Sequence, residues 1–198
     1  EFDSFNFKYN GNINNYDAID GNVELALDEL SFLMDSETLL DKANVKMIAP
    51  LNANLSTMNV EFGASQFALN NIFIDIIGKA SMPSDDINVD LNIKTNTLIV
   101  EELVELIPVS MREELLDGID VKGELQLEAK IEGVYNENFM PVVDANIEYN
   151  KGMISLAEML PYPITNFSTS AKAHLDLNDK SDVYIKHLNA NMSKSSIS

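Results

Sequence analysis

The sequence predicts a mainly β protein: a long, curved antiparallel sheet with one short helical insertion at about 97–117. Three observations predict it. Apolar and polar residues alternate with period two in segment after segment, the pattern of strands with one dry face and one wet face. The helical period is convincing in one stretch only. The continuous apolar runs of parallel strands, buried on both faces, are missing, so the sheet is expected to be antiparallel.

The elements follow in order. Phe5, Phe7 and Tyr9 begin a hairpin, and Asn10-Gly11 has the composition of a tight type I′ turn. The segment from Ala43 to Leu55 alternates through Val45, Met47 and Leu51. Ile87, Val89, Leu91 and Ile93 then share one face, opposite Asn88, Asp90, Asn92 and Lys94. In the insertion, Val100, Leu103, Val104 and Ile107 fall on one helical stripe, with Glu101, Glu102 and Glu105 behind them. Thr97 is placed to cap this helix and Pro108 to end it. A shorter helical turn follows, with Ser110 and Glu113 at capping-box spacing and Gly118 as a left-handed stop.

Strand alternation resumes in Leu125, Leu127, Ala129 and Ile131, and again in Val143, Ala145, Ile147 and Tyr149. The last clear strand runs from Phe167 through Ala171, Ala173 and Leu175 to Leu177, opposite Lys172, His174, Asp176 and Asn178. Residues 19–30 echo residues 119–133, which suggests two related units, 1–95 and 119–198, on either side of the insertion. The whole, 1–198, reads as a single β-rich domain. It begins without Met or a signal peptide, as expected of a piece of something longer.

Charge narrows the function. Acidic residues number 32 against 13 basic, giving a net charge of −19, and Arg112 is the single arginine. Phosphate neutralisation needs a basic patch, so nucleic acid is not an expected partner. Electrostatic adhesion to an anionic membrane is disfavoured for the same reason. The absence of cysteine excludes disulfides, thiolate catalysis and Cys-ligated zinc. No apolar run approaches the length of a membrane-spanning helix, so any membrane contact is expected through segments absent from this chain.

Catalytic chemistry finds little to stand on. His174 beside Asp176 is the one pair resembling a base with an orienting carboxylate, and it sits in a wet-face row. His187 has no carboxylate at matching spacing, and no phosphate loop or nucleophile elbow occurs. Asp176, Asn178, Asp179 and Asp182, like Asp85, Asp86 and Asp90, cluster oxygen ligands but lack the calcium-loop pattern. They match the composition of hairpin turns. No catalytic residue, metal ligand or cofactor is therefore expected, and the chain is read as a non-enzyme.

The dry faces hold the functional question. Strands of about nine residues span about 30 Å, and a sheet of them exceeds the roughly 300–600 Å² apolar patch of an ordinary monomer. The sheet curling on itself, the helical insertion, or a ligand as apolar as the sheet could cover it. Small residues on this face, among them Ala43, Ala49, Ala53, Ala129 and Ala145, leave room for either a helix or a ligand.

The stretch "LDGIDVKGELQLEAKIEGVY", followed by "FMPVVDANIEYNKGMISLAEMLPYPITNFSTSAKAHLDL", resembles the C-terminal region of the AsmA-like family of bacterial envelope proteins. Gly123, Leu125, Leu127 and Gly133 match its Gly-bounded strand. Pro141, Gly152 and Ile154 match the strand after it, and Leu160, Pro161, Pro163, Ile164 and Asn166 match its proline-containing plug. The resemblance covers about residues 70–180, including the helix ending at Pro108. It implies a β-groove or half-open barrel whose apolar interior holds lipid acyl chains. It also implies a periplasmic place, with an N-terminal helix outside this chain tethering it to the inner membrane, and a role in lipid transfer or outer-membrane assembly alongside other envelope proteins. On that reading Val89, Leu91, Ile93, Leu125, Leu127, Ile131, Val143, Ile147, Phe167 and Leu175 face lipid. Met159, Leu160, Pro161, Pro163 and Ile164 form a plug across the open or end face of the groove. The alternatives are a structural or interaction module without lipid binding, and a compact soluble lipid carrier.

Overall fold

Alternation becomes strand over most of the chain. The computed structural model describes residues 1–14, 17–34, 37–156, 159–192 and 195–197. In order the elements are β1 (Ser4–Asn14), β2 (Ala18–Met34), β3 (Glu37–Asn54), β4 (Asn59–Leu69), β5 (Ile72–Ser81), β6 (Ile87–Thr95) and β7 (Leu98–Ile99). Two short helices follow, α1 (Val100–Glu105) and α2 (Val109–Leu116). The chain then returns to strand in β8 (Ile119–Tyr135), β9 (Val142–Leu156), β10 (Ile164–Leu175), β11 (Asp182–Met192) and β12 (Ser195–Ile197).

All the strands join one antiparallel sheet whose spatial order is the chain order, with β7 pairing β8 beyond the end of β6. The sheet is not closed into a barrel, and β1 and β12 are its edges. It runs without a break across the two candidate repeat units, because β6 pairs β8 directly. Bulges bend it: Glu29, Lys42, Lys151 and Asn166 have positive φ where the registers of β2, β3, β9 and β10 slip. Gly78 marks a close approach. A Cβ there would sit 2.0 Å from the Asp90 carbonyl oxygen, at a φ of +146° that disfavours side chains.

Strand lengths differ, and the difference leaves a notch. β2 and β3 run to 17 and 18 residues and β8 and β9 to 17 and 15, whereas β4, β5 and β6 have only 11, 10 and 9. At one end β3 continues along β2 from Ala43 to Glu37, after β4 has stopped pairing at Val45. Across the gap β8 continues along β9 to Ile119, although β6 pairs it only as far as Glu128. The helical insertion occupies this gap. The α1 helix packs on β7 and β8. Glu101 accepts a hydrogen bond from the Gly123 N–H at 3.1 Å, and Asn71 Nδ2 donates to Glu102 at 3.5 Å.

Several expectations need correcting. Asn10-Gly11 is not a turn: both residues lie inside β1, and Gly11 pairs with Gly21. The two glycines face each other because the Tyr9 ring lies over them. A Cβ on Gly11 would meet the Tyr9 oxygen at 2.8 Å, and that hydroxyl donates to the Asn12 carbonyl at 2.8 Å. The hairpin connection falls between Asn14 and Ala18, where the Asp17 N–H donates to Asn14 at 3.0 Å.

Thr97 is not the helix cap. Leu98 and Ile99 are drawn into the ladder beside Leu125 and Glu124, Ile99 becomes the N-cap without a side-chain bond, and Thr97 accepts from Gln126 at 2.7 Å. Pro108 caps the start of α2, so α1 ends before it, at Glu105. The Ser110 side chain lies outside the described part, but Ser110 falls within α2 rather than at its cap. Gly118 does adopt the left-handed conformation, φ +68°. The strand predicted from Phe167 to Leu177 stops at Leu175, leaving Leu177 beyond it, and β11 and β12 follow.

Candidate functional site

The predicted groove residues all fall on one face of the sheet. Leu91, Ile131, Val143 and Leu175 stand in a single cross-strand row. Leu127 and Ile147 pair in the next, which continues through Ala171 to Ile185 on β11. Ile93 begins a row through Ala129, Ala145 and Ala173. Val89 lies opposite Gly133, Leu125 opposite Tyr149, and Phe167 opposite Gly152. Leu175 is exposed and the others are half-buried.

The same rows cross the other half of the sheet, which the lipid-facing expectation omits. Phe7, Leu25, Met47, Phe67 and Ile74 form one, and Leu51, Phe62 and Gly78 lead another into Leu91. Alternation through Val45, Met47 and Leu51 was the available signal. A dry face therefore runs from β1 to β10.

Little covers this face. Among the described residues no large side chain falls below 2% exposure, and most fully buried apolar residues are alanines such as Ala43, Ala49 and Ala53. These small side chains are screened by their own sheet neighbours. A compact monomer of 22.0 kDa exposes about 9,300 Å², yet this chain exposes 13271 Å². The excess of about 4,000 Å² is what a single layer leaves open when no second layer packs on it.

The plug stretch does not pack under the rows. Ala157 and Glu158 lie outside the described residues. Met159 is 77% exposed, and Pro161, Tyr162 and Pro163 are exposed with it. Ile164 belongs to the ladder, opposite Ile154 on β9 and Met192 on β11. The two prolines sit in the β9–β10 connection, where a missing N–H removes no ladder bond.

The floor of the face beside β8 is set by Tyr149. Its ring lies against Gly123 and Gly152, where added Cβ atoms would approach it to 3.0 and 2.5 Å. Its hydroxyl donates to the Lys122 carbonyl at 2.6 Å, and Phe167 tilts against it at 5.4 Å between ring centres. Burial raises its phenol pKa, and the charge of Glu101 adds to the shift.

The opposite face is a charge ladder. Lys94 and Glu128 pair at 2.6 Å, Lys151 and Glu124 at 2.7 Å, and Lys130 pairs with Glu132. Hydrogen bonds to Glu128 and Glu132 hold the Lys94 and Lys130 ammonium groups above the usual lysine range. His174 is on this face, as expected, but its partner is Asp144 at 2.7 Å on the neighbouring strand rather than Asp176. That hydrogen bond raises the imidazole pKa above 6.5. His187 Nε2 accepts a hydrogen bond from the Asn189 side-chain amide at 3.0 Å.

The acidic clusters build turns: Asp176 accepts from Asn178, whose amide also donates to the Met140 carbonyl, and Asp86 accepts from Asn136. A concavity of about 890 Å³ on this wet face surrounds the exposed Ile48 and Ile77, walled by Asp75, Lys94, Glu128 and Lys130. Alternation assigned no role to these two isoleucines. No family model, no curated protein and no solved structure matches the chain.

Proposed function

We propose that this chain is a segment of an AsmA-like envelope protein that carries lipid acyl chains on its dry face, in the periplasm, without catalysing a reaction. The observation that carries the reading is the open apolar layer: a continuous set of half-exposed Leu, Ile, Val and Phe rows with no second layer over them among the described residues. Burying apolar area is worth about 25 cal/mol per Å². A face this wide therefore gives a hydrocarbon chain a strong reason to lie along it. The wet face, with its paired lysines and surplus carboxylates, supplies solubility and offers no attraction to anionic bilayers. The resemblance over residues 70–180 supports the same reading.

The test is mass spectrometry of an organic extract from protein purified without detergent, beside a control protein handled identically. A diacyl lipid is expected at near-stoichiometric amount, and Leu127→Glu or Ile147→Glu is expected to remove it while the fold persists. Both positions are half-buried, so the ladder tolerates a carboxylate there, whereas an acyl chain laid over that charge would strip its water. A blank extract, or folded variants that retain lipid, would leave a non-lipid interaction module as the better description.

A further inference from the structure

The notch left by the short strands is not filled by the helices. A cavity of about 640 Å³ remains between the free edge of β3, the β4–β5 turn and the junction of α1 with α2. This lies within the range of about 300–1,000 Å³ usual for small-ligand sites. Leu40, Ile72 and Ile107 supply apolar wall, and four charged side chains border it: Arg112, Asp41, Glu102 and Glu105. Arg112 is the only arginine of a chain with net charge −19. None of the ion pairs among the described residues involves it.

A guanidinium fork matches a phosphate better than any other side chain does. A simple anion would nonetheless meet three carboxylates around the same space. The charge pattern fits a ligand that carries both signs, with a phosphodiester on one side and an ammonium on the other. The wall fits a short apolar stem joined to it. The cavity also borders the dry face, since Ala43 and Ile72 line it and are buried members of the sheet.

We propose that the notch holds the head group of a zwitterionic phospholipid, with its phosphodiester on Arg112 and its ammonium toward Glu105 and Asp41. This rests on the acyl-chain reading above and names the lipid class. The alternation of the strands carried no sign of it, because the notch depends on where β4, β5 and β6 stop.

The single arginine makes the experiment direct. The Nε–H resonance of Arg112 is the only one of its kind, so nitrogen-15 NMR reports the site without ambiguity. The probes are dihexanoylphosphatidylethanolamine below its micelle concentration, dihexanoylphosphatidylglycerol at equal concentration, and free O-phosphoethanolamine. The ethanolamine lipid is expected to shift Arg112 saturably, together with the methyls of Leu40, Ile72 and Ile107. The glycerol lipid should bind more weakly, and Arg112→Gln should weaken the ethanolamine lipid by about tenfold or more, as loss of a charged hydrogen bond does.

An unmoved Arg112 overturns the proposal, as does equal binding of the two lipids or unchanged affinity in folded Arg112→Gln protein. Methyls of Leu127 and Ile147 separate this from the acyl reading. If they shift while Arg112 does not, the head-group site falls and the dry face stands. If free O-phosphoethanolamine moves Arg112 while the lipid leaves those methyls unmoved, the head-group site stands and the dry face falls.

Discussion

Gly152→Ala should destabilise the sheet far more than its size suggests. A Cβ at Gly152 would lie 2.5 Å from Tyr149 Cε1, 2.8 Å from the Phe167 carbonyl oxygen and 3.0 Å from Phe167 Cβ. Ordinary contact begins near 3.4 Å, so the ring must lift by about an ångström or β10 must move away. Lifting the ring stretches the 2.6 Å hydrogen bond from Tyr149 to the Lys122 carbonyl, and it exposes a side chain now only 9% exposed. Overpacking typically costs about 1–3 kcal/mol and a lost hydrogen bond about 1 kcal/mol, so the expected loss is about 2–4 kcal/mol.

Urea unfolding followed by tyrosine near-ultraviolet dichroism measures that loss. The control is a double-mutant cycle with Tyr149→Ala, which removes the ring and should make most of the Gly152→Ala cost disappear. Tyr149→Phe alone should cost about 1 kcal/mol or less, because only the hydroxyl bond goes. A Gly152→Ala change within about 0.5 kcal/mol of neutral, or strict additivity with Tyr149→Ala, would refute the reasoning that the ring occupies the glycine's space.

The remaining expectations are simpler. His174 has a folded-state pKa raised by Asp144, so its contribution to stability is complete below about pH 6.5 and fades as pH rises through the folded value. An NMR titration of the imidazole should give a value above 6.5, and Asp144→Asn should bring it back; an unshifted midpoint in the parent protein would remove the pair. Gly118→Ala forces a Cβ into a backbone at φ +68° and should cost about 1 kcal/mol, read from the urea midpoint. A neutral Gly118→Ala would mean that the α2–β8 junction relaxes.

The strands were legible because their signal is local. Val89, Leu91 and Ile93 against Asp90, Asn92 and Lys94 can share a face in only one regular structure, and cross-strand pairing simply aligns such rows. Asn10-Gly11 misled for the opposite reason. Its role is fixed by Tyr9 and by Gly21 across the hairpin, and a turn-like pair inside a strand gives no local sign of either. The helix was legible in type but not in length. Val100, Leu103 and Val104 keep the helical period, yet Leu98 and Ile99 gain more from pairing with β8 than from another helical turn. Whether the dry face is covered was never legible, because periodicity tells which residues share a face and not what lies above them. The notch cavity was hidden too, since it follows from differences in strand length.

The sheet's order has a consequence for how it comes apart. Among the described residues every long strand is hydrogen-bonded only to its neighbours in the sheet order, with β7 as an added partner of β8, so cooperativity passes mainly along one line of the molecule. Such a ladder behaves as a linear chain of coupled units, in which stability is a sum of neighbour terms and unfolding can begin at an end and advance strand by strand. Amide exchange should then grade from fast at β1 and β11 to slow around β6, β8 and β9, rather than collapse into one global rate. The same linearity lets an architecture of this kind grow by whole hairpins, because a new hairpin meets one existing edge and leaves every other interface as it was.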